Sequence, residues 1–259
     1  TLTFQRLKRP MCGRLIRRSR GARPQYSVKQ TRCIMTLKID LFWSFRSPYS
    51  FLAVDRIARM AERYDVDVHV RPVYPIAIRD PKFFKRMDPL WMRYLEHDVL
   101  RQAEYLGLQC TGWPSPDPVI QNLDTLEIPQ DQPHIFRLTR LGVEAAKRGQ
   151  GLEFIQEVAH LLFGSGVKGW NKGDHLAKAT ERAGLDLAEL SAAIEGNGDE
   201  YDAVIQTNQD ALHDAGHWGV PTLVFRNEPF FGQDRLEVCL WRLKQHGLKR
   251  REAALASTS

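Results

Sequence analysis

The chain has 259 residues, 43% hydrophobic and 26% charged, which is enough apolar material for one sizeable core, with or without an insertion. No stretch approaches 18 consecutive apolar residues, so no membrane-spanning helix is expected, and a cytoplasmic protein is the default. The net charge of +6 does not imply a nucleic-acid partner, because residues 1–34 carry ten Lys or Arg and no acid, leaving 27 basic against 31 acidic residues in the body.

Residues 1–34 show little apolar periodicity and read as a basic leader outside the fold; patterned sequence begins at Met35. The leader is either an Arg-rich presequence, which would make the protein mitochondrial, or upstream codons translated ahead of a true start at Met35. Weak amphipathicity and the breaks at Pro10 and Pro24 favour the second. A nucleic-acid arm is disfavoured, because no basic face continues it into the body.

The segment "LKIDLFWSF" (37–45) predicts a buried strand. Ser47-Pro48 then supplies a hydrogen-bonding N-cap and a proline at the first helical position. Phe51, Val54, Ile57, Ala61 and Tyr64 recur at helical steps, predicting a helix over 48–64. "VDVHVRPVY" (66–74) alternates as a second strand, and strand, helix, strand at this spacing makes a right-handed parallel unit.

Between Pro81 and Ala215 strand signals vanish. Helical spacing appears over 90–108, 132–149, 152–164, 173–184 and 187–196, with a proline-rich loop at 111–119. A hairpin follows, with strands over 219–225 and 229–232 about a turn at Arg226-Asn227-Glu228, and then a helix over 233–247. The tail 248–259 is small or charged and is expected to fray.

The order βαβ, helical block, ββα, with Ser47-Pro48-Tyr49-Ser50 opening the first helix and Pro221 before the third strand, is similar to the thioredoxin fold with a helical insertion. "FWSFRSPYSFLA", "GVPTLVF" and "FFGQDRLE" together resemble the DsbA-like family, in the branch holding 2-hydroxychromene-2-carboxylate isomerases and kappa-class glutathione transferases. The resemblance implies an α/β thioredoxin-like domain in two halves, 35–78 and 208–247, around an all-helical insertion at 79–207. It also implies glutathione as cofactor, a small aromatic carboxylate as substrate, and homodimers as a common assembly.

Residue by residue, the resemblance gives Ser47 the catalytic role of hydrogen-bonding a glutathione thiolate at the helix terminus. With serine at position 47, no protein disulfide can form there. Pro221 resembles the family's cis-proline, with the Val220 backbone offered to the cysteinyl unit of glutathione. Asp234 would take the γ-glutamyl ammonium, and the Gln233 and Asp234 amides its carboxylate. Where relatives hold the glycyl end with a Lys and an Asn, this chain has "IRDPKFFKRMDP" (78–89), which offers Arg79, Lys82, Lys85 and Arg86 but no Asn, with Lys82 the candidate for that role.

A second departure is Arg46, where relatives place an apolar residue; Arg46 or Lys82 is a candidate for a substrate carboxylate. Tyr49 and Trp218 adjoin the motifs and are candidates for contact with an aromatic substrate. The activity expected is a glutathione-dependent cis–trans isomerisation, in which a thiolate adds reversibly to an unsaturated aromatic acid so that a double bond can rotate. The alternatives are a kappa-type transferase and a non-catalytic module binding peptides along the Pro221 edge. No metal is expected: the four cysteines, Cys12, Cys33, Cys110 and Cys239, have no ligand spacing, and Gly216 ends the helical register between His213 and His217.

Overall fold

The computed structural model describes residues 36–122 and 124–251, so the basic leader and the end of the tail lie outside the described residues. Strands β1 (Leu37–Trp43) and β2 (Val66–Pro72) pair in parallel through helix α1 (Pro48–Arg63), with Leu37 opposite Val66 and Trp43 opposite Pro72. Strand β3 (Thr222–Phe225) lies antiparallel to β1, with Leu41 opposite Leu223, and β4 (Glu228–Phe231) closes the far edge. The sheet order is β2-β1-β3-β4. Helix α10 (Leu236–Gln245) follows, completing the mixed thioredoxin-like arrangement that the sequence predicts.

The hairpin turn contains Arg226 (φ 52°) and Asn227 (φ 64°), both left-handed, as a two-residue hairpin with the twist of its strands requires. Between the two halves run α2 (Ile76–Arg79), α3 (Phe83–Arg86), α4 (Pro89–Tyr105), α5 (Pro133–Lys147), α6 (Gly151–Ala159), α7 (His175–Arg182), α8 (Leu187–Ile194) and α9 (Gly198–Asp214). Helix α4 starts as α1 does: Asp88 accepts from the Leu90 amide at 2.9 Å, and proline occupies the first turn.

Several elements differ from expectation for identifiable reasons. Helix α9 is absent from the sequence reading because its inward face, Tyr201, Ile205, Asn208 and Leu212, has a polar residue in the middle. Asn208 is tolerated there because its amide donates to the Pro72 carbonyl at 3.0 Å. The helix runs past residue 207 to Asp214, so the helical block ends there. The helix expected over 152–164 becomes a π-helical turn from His160 to Gly164, and the last helix begins as a 3₁₀ turn, Gln233–Arg235. The start of the tail is not frayed. Lys249 accepts from the Asp65 amide at 2.9 Å and the Arg251 amide donates to Arg63 at 2.9 Å, satisfying backbone groups where α1 ends and β2 begins.

One apolar core runs through both parts. Trp43 and Phe45 from the sheet end, Phe51 from α1, and Phe154, Phe163 and Trp170 from the helical block are buried in a single cluster. The insertion therefore shares its core with the sheet and fixes the start of α1 from one side. Three side-chain contacts tighten that packing: Asp55 of α1 accepts from Gln156 and pairs with His160, both at 2.8 Å, and Phe51 stacks on Phe163. The Asp55 hydrogen bond raises the His160 pKa against the opposing effect of burial, and the same bond holds the Asp55 carboxyl low.

Two predictions follow from this packing. A Cβ on Gly142 of α5 would sit 2.9 Å from the Phe45 ring, which is fully buried and cannot yield. Gly142→Ala should therefore destabilise the protein by about 1–3 kcal/mol in denaturant unfolding, although alanine is the better helix former. The His160–Asp55 pair stabilises the fold where both groups are charged. It is lost as pH falls through the lowered Asp55 pKa, and again as pH rises from the unfolded-state histidine value through the raised His160 pKa. His160→Gln should cost more stability at pH 6 than at pH 8.5, by a few tenths of a kcal/mol, since more than a third of the imidazole is exposed. An equal cost at both pH values would remove the charge from the account.

Candidate active site

Strand β1 ends at Trp43, and a tight turn over Ser44 leads into α1, with the Ser47 amide donating to the Ser44 carbonyl at 3.2 Å. Ser47 is extended (φ −88°, ψ 112°) and caps the helix: its hydroxyl oxygen accepts from the Ser50 amide at 3.3 Å. The same hydroxyl donates to the Val220 carbonyl, also at 3.3 Å. Val220–Pro221 is a cis peptide bond, and the Pro221 carbonyl accepts from the Gly232 amide at 2.9 Å. The first and second motifs, 173 residues apart in sequence, thus meet across one hydroxyl. The Val220 N–H has no backbone or side-chain acceptor among the described residues, so an extended ligand could pair with it.

Among the described residues, the first turn of α1 holds no sulfur of its own. Residues 47–50 contain no cysteine; of the two cysteines among the described residues, Cys110 is half-buried and Cys239 is fully buried, with burial pushing its thiol up to about 12. What the helix terminus presents is partial positive charge and a hydroxyl.

The third motif approaches α1 from the other side. Gly232 (φ 101°) has a left-handed backbone that any side chain would strain, and a Cβ there would also require the exposed Asp234 carboxylate, 2.7 Å away, to move. Gln233 is buried, and its backbone carbonyl accepts from Arg56 of α1 at 2.7 Å; its side-chain oxygen also accepts from Arg56. Arg56 is a residue the sequence reading missed. It sits on the flank of an otherwise apolar helix, and nothing in periodicity distinguishes it from a solvated arginine. Asp234 is mostly exposed and pairs with Arg235 at 2.6 Å, so a ligand ammonium would share that carboxylate.

Arg46 and Tyr49, read as substrate contacts, are both engaged within the protein. The Arg46 fork holds Asp117 at 2.9 and 3.1 Å through Nε and at 2.9 Å through Nη2, and Nη2 also donates to Gln121 at 2.8 Å. This bidentate pair ties the start of α1 to the proline-rich loop and cancels the charge that made Arg46 a carboxylate ligand on paper. Asp117 and Gln121 carry no sequence signal, because a loop acid two residues from a turn is indistinguishable from solvent-facing polarity. The Tyr49 hydroxyl donates to Asp98 of α4 at 2.9 Å. Burial and this hydrogen bond raise the Tyr49 pKa, so the phenol stays protonated. Burial would raise Asp98 as well, but donors from Arg101, Tyr49 and Tyr94 outweigh it and keep the carboxyl low.

Lys82 stands exposed at the edge of a cleft of about 680 Å³, whose walls include Lys85, Gln121, Asn122 and Ile128. The cleft adjoins the helix terminus through Gln121, the partner of Arg46. It also brings a Lys and an Asn together from two loops, which linear order did not suggest. Trp218 is half exposed in a group of rings with His217, Phe83 and Phe231, and its carbonyl accepts from Arg79 at 2.8 Å. Helix α9 ends at Asp214 and Gly216 (φ 92°) turns the chain, while His217 Nδ1 accepts from the Gly219 amide at 2.8 Å. His213 and His217 therefore do not share a helical face. No group of three or more His, Cys, Asp or Glu among the described residues is arranged to hold a metal, and no described helix is long and apolar enough to cross a membrane.

A family profile described as DSBA-like thioredoxin domain matches residues 38–244. A 2-hydroxychromene-2-carboxylate isomerase of Pseudomonas putida is 23% identical over 207 residues, covering 76% of this chain and 90% of its own length. Among solved structures, a 2-hydroxychromene-2-carboxylate isomerase superposes with a TM-score of 0.59 at 20% identity, over 81% of this chain and 97% of that one. A probable DsbA oxidoreductase from Streptomyces coelicolor gives 0.56 at 18%, covering 81% and 89%. The cytosolic disulfide reductase DsbM from Pseudomonas aeruginosa, solved with GSH, gives 0.51 at 16%, covering 80% and 100%.

The cap geometry predicts the acidity of a thiol placed on it. In Ser47→Cys, the helix terminus and the Ser50 amide should lower the thiol pKa at least one unit below the ordinary value of about 8.5. The difference in thiolate absorbance between variant and parent, followed against pH, measures it. A value at or above the ordinary one would show that the terminus does not favour an anion.

Proposed function

The chain belongs to the DSBA-like thioredoxin family, and from that premise we propose that it is a glutathione-dependent cis–trans isomerase of aromatic acids, similar in activity to the 2-hydroxychromene-2-carboxylate isomerases. The observation that carries the proposal is the Ser47 hydroxyl, held at 3.3 Å from the Val220 carbonyl at the start of α1, where residues 47–50 contain no cysteine. A thiolate-stabilising frame without a cysteine calls for an external thiol. Dithiol oxidoreduction at residues 47–50 is ruled out by their chemistry.

The residues present fit glutathione at three points. The Val220 backbone and the Ser47 hydroxyl would hold its cysteinyl unit, and Asp234 with the Gln233 and Asp234 amides its γ-glutamyl end. Lys82 with Asn122 across the cleft would hold the glycyl carboxylate. When bound, glutathione supplies the nucleophilic thiolate whose reversible addition frees a substrate double bond to rotate. Ser47 orients the sulfur and donates a hydrogen bond to its anionic form. The terminus of α1 lowers the free energy of negative charge by about 0.3–2 kcal/mol. Arg46, tied to Asp117, keeps the loop in place against the first turn.

Calorimetry tests the proposal directly. Glutathione should bind the full-length protein with a Kd below about 1 mM, and no detectable binding at millimolar ligand would sink it. Ser47→Ala should lower turnover of an unsaturated aromatic 2-oxo acid by about tenfold to a hundredfold while leaving glutathione affinity within about threefold. Asp234→Ala should instead weaken glutathione binding about tenfold, the loss expected for a charge-assisted hydrogen bond.

A further inference from the structure

We infer that Arg79, which neither the motifs nor the family resemblance singles out, recognises the substrate carboxylate, and that the substrate's aromatic ring lies on the exposed Trp218 surface beside it. The inference deepens the proposed function and rests on it for the reaction, though not for the binding.

Arg79 differs from Arg46 and Arg86 in having no carboxylate partner; Arg56, on the side of the third motif, is likewise held by neutral acceptors, but these belong to Leu52 and Gln233. Arg46 is neutralised by Asp117, and Arg86 pairs with Asp80. Lys85 faces Glu127 at 3.8 Å, and the exposed Lys82 is a strongly hydrated point charge. Arg79 donates from Nε to the Tyr74 carbonyl at 2.7 Å and from Nη2 to the Trp218 carbonyl at 2.8 Å, and no carboxylate pairs with it among the described residues. Two neutral carbonyls fix the guanidinium without cancelling its charge. Burial without a counter-ion brings its pKa down to about 10, which still leaves it protonated at neutral pH. A fixed, partly desolvated cation with donors to spare is suited to a carboxylate.

Its position relates it to the proposed chemistry. Arg79 holds the carbonyl of residue 218, and Ser47 holds that of residue 220. Two residues of chain span at most about 7 Å, so cation and hydroxyl bracket one short segment. The rings lie on the same segment: Trp218 is 50% exposed and Phe231 41% exposed, with His217 stacked 4.0 Å from Phe231 and Phe83 5.4 Å from Trp218. Exposed rings next to an uncompensated cation match a planar ring bearing a carboxylate.

The test uses cinnamate and its neutral isostere cinnamamide, titrated calorimetrically into the full-length protein without glutathione. The wild type should bind the acid about tenfold more tightly than the amide. Arg79→Met should abolish that preference while binding the amide unchanged, and Arg79→Lys should fall between. Trp218→Leu should weaken both ligands. Equal affinity for acid and amide in the wild type would overturn the inference. So would a loss of both ligands in Arg79→Met, because Arg79 would then only support the Trp218 backbone. Loss of glutathione binding in Arg79→Met, with the acid preference intact, would assign the cation to the cofactor and overturn it as well. A wild type that binds cinnamate selectively but not glutathione defeats the proposed function alone. One that binds glutathione but does not discriminate acid from amide defeats the Arg79 assignment alone.

Discussion

The hydrogen bond from the Ser47 hydroxyl to the Val220 carbonyl is the point on which the site depends, because it joins a helix terminus to the backbone of a distant strand. Each side is held independently. On one side, Trp43, Phe45 and Phe51 fix the β1–α1 junction in the core; on the other, Pro221 receives the Gly232 amide and Thr222 Oγ1 donates to the Gly219 carbonyl at 2.7 Å. The hydroxyl is not needed to bring the two together. It occupies a position that packing already defines, which leaves it able to exchange the Val220 carbonyl for another acceptor without unfolding anything. That freedom is what the role proposed for Ser47 requires of its hydroxyl.

The helical block contributes more than cover. Its proline-rich loop supplies Asp117 to Arg46, α4 supplies Asp98 to Tyr49, and α6 with its π turn supplies Gln156 and His160 to Asp55. Arg46, just ahead of α1, and Tyr49 and Asp55 within it are thus each tied to a different segment of the insertion. An isolated helix terminus would fray. Here the terminus is braced on three bearings, so the amides and hydroxyl facing the site keep fixed directions, as electrostatic stabilisation of an anion requires.

Much of this arrangement was legible in the sequence, and the reason differs between elements. β1, α1 and the hairpin carry strong local signals: alternation, a Ser-Pro start and a polar turn, although Glu228, expected in that turn, pairs with Phe225 as the first residue of β4. The joining of Ser47 to Val220 and Pro221 was legible only because three short motifs occur in a family order. α9 was not legible, because Asn208 interrupts its apolar face and is satisfied by a carbonyl from β2 that no local window contains. The charges were read least well. Arg46 looked free because a sequence shows a charge but not its partner, and Asp117 lies 71 residues away. Arg79 looked ordinary among four basic residues between 79 and 86, and only the fold shows that it alone of the arginines there lacks a carboxylate.

Replacing a resident cysteine by serine changes what the site can hold rather than how strongly it favours negative charge. A protein thiolate would occupy the helix terminus permanently and commit the site to disulfide exchange. With serine there, the favourable potential is left for an exchangeable anion. At pH 7 a free thiol of pKa about 8.5 is roughly 3% thiolate, and a one-unit shift raises that to about a quarter. One unit corresponds to about 1.4 kcal/mol, within reach of a helix terminus and one charge-assisted hydrogen bond acting together. A larger shift would be of diminishing use, because a thiolate stabilised further adds less readily to its acceptor. A hydroxyl at a helix N-cap would therefore suit the proposed reaction, in which the sulfur must both add and leave, whereas a deeper anion trap would hold the sulfur and slow it.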